Sequence, residues 1–105
     1  MKFRKARIKI ISARLSGDGS LIDIRYWLSR PDKLRINFND YLIDEASKQR
    51  LYTANFVKFG RIRTKHGKHT TNGVILFYNQ NNIVKSGSKV TLAIGSYLSE
   101  QTEVV

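Results

Sequence analysis

Apolar and polar residues alternate with a period of two along most of the chain, and that period predicts strands rather than helices. Ala6, Ile8 and Ile10 alternate with Arg7, Lys9 and Ile11, which predicts a first strand with one apolar face and one largely basic face. Ser16-Gly-Asp-Gly-Ser supplies a turn, because its residues tolerate positive φ. Ile22, Ile24, Tyr26 and Leu28 then alternate with Asp23, Arg25 and Trp27 in a second strand, antiparallel to the first and ended by Arg30-Pro31-Asp32. Trp27 is assigned to the core.

Leu34, Ile36 and Phe38 alternate in the next segment. Tyr41 to Asp44 and Arg50 to Thr53 flank a short polar connection and predict a second hairpin; a helical turn from Asp40 to Leu51, with Asp40 as N-cap, is the alternative. Thr64 to Gly73 has no apolar residue and two glycines, so it reads as an exposed loop. Val74-Ile-Leu-Phe-Tyr is a continuous β-branched and aromatic run, the pattern of a central strand covered on both faces. Turns at 79–82 and 86–88 follow, then a strand within 89–95 and a last edge at 102–105. About seven short strands with no amphipathic helix predict an all-β fold over residues 1–105, a single antiparallel immunoglobulin-like β-sandwich, with a small β-barrel as the alternative.

The chain has 105 residues, enough for one core without staples, and no cysteine, which excludes disulfides and thiolate chemistry. Its net charge of +11 is concentrated in two acid-free stretches, residues 1–14 at +6 and residues 58–89 at +7, around a neutral middle. Such clusters attract polyanions. Arg7 and Lys9 on the first strand, with Arg61, Arg63, Lys65 and Lys68, are the candidate residues for an anionic or protein partner. If both clusters share one side they form a groove for nucleic acid; dispersal favours a general binding module. Phe59 and Tyr78 are the aromatics nearest these cations, and both read as core. No run reaches the length of a membrane-spanning helix, and the basic start is followed by charges where a signal peptide has an unbroken apolar stretch.

The blocks Ile22-Asp-Ile-Arg-Tyr-Trp-Leu-Ser-Arg-Pro-Asp-Lys, Tyr41-Leu-Ile-Asp-Glu-Ala-Ser, Lys58-Phe-Gly-Arg-Ile-Arg, Ile75-Leu-Phe-Tyr-Asn and Lys85-Ser-Gly-Ser-Lys-Val-Thr-Leu-Ala-Ile-Gly-Ser-Tyr resemble a group of uncharacterised proteobacterial proteins. There, similar blocks follow an export or lipoprotein leader, and the proteins look like small immunoglobulin-like sandwiches of the cell envelope. The resemblance covers roughly residues 8–105 and implies the periplasm or cell envelope where a leader has been removed; without one the chain reads as cytoplasmic. It supplies no activity and no site residues.

His66 and His69 are the only histidines, spaced to share a metal ion, but the neighbouring Lys65 and Lys68 repel a cation and no carboxylate lies between 58 and 89. No metal or other cofactor is therefore expected. Asp44 and Glu45 are adjacent and point to opposite faces of a strand, and Gly17-Asp-Gly lacks the helix that a phosphate loop requires. The residues thus predict a non-enzymatic binding or accessory module that contacts a protein partner or an anionic surface, with a nucleic-acid-binding small β-domain as the alternative.

Overall fold

A computed structural model describes residues 7–30, 40–63, 69–95 and 97–105; for Arg7, Arg30 and the strand residues within 55–71 it describes the backbone alone. The described residues are all-β and antiparallel. Their strands are β1 (Arg7–Ser16), β2 (Leu21–Arg30), β3 (Tyr41–Asp44), β4 (Arg50–Arg63), β5 (His69–Tyr78), β6 (Lys89–Ile94), β7 (Tyr97–Leu98) and β8 (Thr102–Glu103). They follow one path, β1-β2-β5-β4-β3-β6-β7, with β8 also on β6. The path nearly closes into a barrel: at the seam the Val105 N–H donates to the Ala13 carbonyl at 2.9 Å, and both Val104 and Ala13 are buried.

Local chemistry explains the two hairpins. Gly17, Asp18 and Gly19 all have positive φ, which turns β1 into β2 through a 3-10 turn at Gly17–Gly19 that few other triplets would accept. Between β3 and β4, the Asp44 carboxylate accepts from the Ser47 hydroxyl at 2.7 Å and from its N–H at 3.3 Å, closing a turn where a helix was the alternative. Asp40 caps no helix; it accepts instead from the Gly95 N–H at 3.1 Å.

The core follows from parity. On β2 the even positions Ile22, Ile24, Tyr26 and Leu28 are buried, and on β5 Ile75 and Phe77 join them. On β1 a bulge between Ile10 and Ser12 inserts Ile11, so the inward set passes from Ile8 and Ile10 to Ala13 and Leu15. Ile11 itself is left 59% exposed by that extra residue. Leu42, Leu51, Val84, Val90, Leu92 and Ile94 complete the interior, each such side chain contributing about 1.5–3 kcal/mol by leaving water.

Strand β4 is the corner of the barrel. It pairs with β3 through Arg50 to Tyr52 and with β5 from Thr53 to Arg63, with register shifts at Thr53/Asn55 and Lys58/Gly60 that let one long strand serve both halves. A buried Asn79 ties the two ends of the barrel wall together. Its side-chain amide donates to the Gly19 and Val84 carbonyls, both at 2.8 Å, and accepts from the Val84 N–H at 3.0 Å.

Several expectations need correction. Trp27 is half-buried on the outer face and not in the core, because it alternates with the inward Tyr26 and Leu28. Tyr78 is 56% exposed for the same reason, opposite in parity to Phe77. The run 74–78 is thus central between β2 and β4 but covered on one face; the strand buried on both faces is β6, from Val90 to Ile94. The loop expected at 64–73 is shorter, since His69 to Gly73 belong to β5, where each residue stands in register with β2 on one side and β4 on the other and successive residues bond to the two neighbours in alternation. That double ladder compensates for the missing apolar side chains. The strands are also longer than expected: β1, β2 and β5 have 10 residues and β4 has 14. The strand expected at Leu34 to Phe38 lies outside the described residues.

Candidate polyanion-binding face

The outward positions of β1, β2 and β5 form cross-strand rows. Lys9 stands opposite Trp27, and Trp27 opposite Asn72; Ser12 opposite Arg25, and Arg25 opposite Val74; Arg14 opposite Asp23, and Asp23 opposite Leu76; Ser16 opposite Leu21, and Leu21 opposite Tyr78. Residues opposite one another in an antiparallel pair share a face and approach to about 5 Å, and successive rows are about 6.7 Å apart. Lys9, Arg14 and Arg25 are exposed, so three cations stand on one wall in successive rows that begin at the half-buried Trp27. Asp23 is the one carboxylate in these rows, and its Oδ1 is buried without a hydrogen-bond partner among the described residues.

The predicted cationic residues are divided by the strand order. Between β1 and β4 stand β2 and β5, which puts the backbones of Arg7 and Lys9 about 14 Å from that of β4. The rows also differ. Arg61 is in register with Thr71, Leu28 and Ile8, whereas the row of Lys9 reaches β4 at Gly60 and that of Arg7 reaches it at Ile62. Arg63 falls in register with His69 and Arg30, a juxtaposition that no local pattern announces. Lys65, His66 and Lys68 lie outside the described residues, as does the side chain of His69. Phe59 marks the second register shift of β4 at the backbone level.

The outer face of the other half was missed altogether. Tyr41 is opposite Tyr52 on one side and Ala93 on the other, and Ala93 is opposite Leu98. The Tyr41 and Tyr52 ring centroids are 6.3 Å apart with planes tilted by 59°, and the Arg50 guanidinium lies over the Tyr41 ring at 4.5 Å. Tyr52 is 50% exposed and Leu98 63%. The signal was present in the parity of the hairpin, since inward Leu42 and Leu51 force Tyr41 and Tyr52 outward.

Beside this hairpin Glu45 is occupied structurally. Its carboxylate takes the Lys48 ammonium, the Thr91 hydroxyl at 2.7 Å and the Gln101 amide at 3.1 Å, and these donors, Lys48 foremost, hold its pKa below the ordinary glutamate value. Lys48 is thereby paired, while Arg50 has no ion-pair partner among the described residues. No set of three or more metal-ligating side chains converges among the described residues, and no helix there is long and apolar enough to cross a membrane. Comparison with known protein families, with curated proteins and with solved structures returned no match.

Proposed function

We propose that the chain is a non-enzymatic binding module whose outer wall of β1 and β2 engages an anionic partner. The observation that carries this reading is the placement of Lys9, Arg25 and Arg14, all exposed in three successive rows of one face, the first of them shared with Trp27. Cations arranged on a rigid wall raise the local potential without the entropy loss of ordering a loop. An immunoglobulin-like sandwich of the cell envelope is the more specific form of this proposal, and it is supported by the resemblance of the sequence blocks.

The test uses heparin and a nucleic-acid duplex as polyanions, read through the emission of Trp27, the only tryptophan. Binding is expected at about 50 mM salt and should weaken steeply toward about 200 mM, as counterion release demands. Substituting Lys9, Arg14 and Arg25 together by Ala should lower the slope of log K against log salt for the duplex by about 2–3. Stability should stay within about 1–2 kcal/mol of the parent, since all three residues are exposed. An unchanged slope in the triple variant, or no binding of the parent to either polyanion at the lower salt, would overturn the proposal.

A further inference from the structure

Resting on the polyanion reading, we infer that Tyr52, Tyr78 and the Arg50–Tyr41 pair form a stacking platform for unpaired bases, so that the partner is single-stranded nucleic acid. One residue beyond the inward Thr53–Phe77 pair, where β4 turns from one half of the barrel to the other, stand Tyr52 on β4 and Tyr78 on β5. Both are at least half exposed. Tyr41 continues the line on β3, its ring 6.3 Å from that of Tyr52. Three tyrosines on three neighbouring strands therefore face outward across the corner of the barrel.

A single exposed tyrosine needs no explanation. What distinguishes this set is the Tyr41–Tyr52 ring contact and its electrostatic setting. Arg50 lies over Tyr41 and is left without a carboxylate among the described residues, while Glu45 beside the hairpin is taken up by Lys48, Thr91 and Gln101 and Asp23, the one carboxylate in the cationic rows, has its Oδ1 buried. The row of Tyr78 is adjacent to the row of Arg14, and the next row holds Arg25. Aromatic faces thus sit at one end of a cationic track, in a chain of net charge +11.

Bases stack on aromatic rings only when they are unpaired, because those of a duplex already stack on one another. Cations beside such rings hold the phosphates while the rings hold the bases, a combination that tolerates any sequence. Among the described residues no α-helix is available to enter a major groove. A single strand lying from the Arg25 and Arg14 rows onto Tyr78 and Tyr52 satisfies both charge and stacking.

The experiment measures binding of a labelled oligothymidylate, a duplex of the same length and heparin by anisotropy, for the parent chain, Y52A/Y78A and Y52F/Y78F. The parent should prefer the single strand. Y52A/Y78A should bind the single strand about tenfold or more weakly, with its duplex and heparin affinities unchanged, and Y52F/Y78F should bind like the parent because it keeps both rings. Thermal melting checks folding; should the double alanine variant not fold, Y52A and Y78A are measured singly. Duplex and heparin binding without a single-strand preference, or full single-strand affinity in a folded alanine variant, overturns this inference and leaves the polyanion reading standing. Absence of binding to all three overturns both.

Discussion

Replacing Asn79 with alanine should lower the stability of the fold by about 3 kcal/mol, equivalent to roughly 15 °C in the midpoint of thermal unfolding for a domain this size. The side chain is buried, and its three hydrogen bonds join the turn after β1, through Gly19, to the segment entering β6, through Val84. Alanine leaves the buried Val84 N–H and carbonyl without their side-chain partner, and the part-buried Gly19 carbonyl without its donor; the desolvation of the Val84 groups is the larger part of the loss. Asn79→Asp keeps the acceptor for Val84 but turns a carboxylate oxygen toward two carbonyl oxygens, so it should be no better than alanine. Circular dichroism melts of the three proteins decide the matter. A shift of less than about 3 °C for the alanine variant would mean that the knot contributes little.

The second large effect is alkaline. Tyr26 is fully buried on β2, its hydroxyl has no hydrogen-bond partner among the described residues, and burial pushes the phenol from its ordinary value of 10.0 up to about 12. Below pH 10 the phenol is protonated in both the folded and the unfolded chain, and stability does not depend on it. Between pH 10 and about 12 the unfolded chain releases the proton while the folded chain retains it, so stability falls as pH rises, by about 3 kcal/mol in all. Above that range the folded phenol ionises too and the slope flattens. Tyr26→Phe should remove this loss and, by deleting an unpartnered buried hydroxyl, should be more stable by about 1 kcal/mol at neutral pH. Urea denaturation from pH 8 to pH 11.5 tests both statements. Parallel curves for the two proteins, or a destabilised phenylalanine variant, would show that the hydroxyl is satisfied in the fold.

The legible parts of this molecule are those in which neighbours in sequence are neighbours in space. The β1–β2 hairpin follows from a turn whose residues accept positive φ, and the β3–β4 hairpin from two short alternating runs around a polar connection. Alternation also sorted the faces of β2 correctly, so the outward placement of Trp27 was open to view; its size, rather than its parity, suggested the core. The bulge at Ile11 was not legible, because one inserted residue reverses the alternation of everything after it without any change of composition. Nor was the early start of β5, where polar residues from His69 to Gly73 are held by two neighbouring ladders instead of by burial.

For the candidate face the division is sharper. Charge counting located the cations in two stretches of sequence and left open whether the two share a face. Strand order puts two strands between Lys9 and Arg61, and brings Arg25, from the neutral middle, into line between Lys9 and Arg14. The tyrosines tell the same story, since Tyr41, Tyr52 and Tyr78 come from separate segments and are placed on three successive strands because β4 turns the corner of the barrel.

The class of the fold, the local hairpins and the excess of positive charge follow from residue type and from a period of two. Which strands lie side by side, where a bulge reverses the inward face and which cations and aromatics share a surface are set by the assembled barrel. Those choices are made by burial and by long-range backbone pairing, and both depend on parts of the chain far removed from the residues they position.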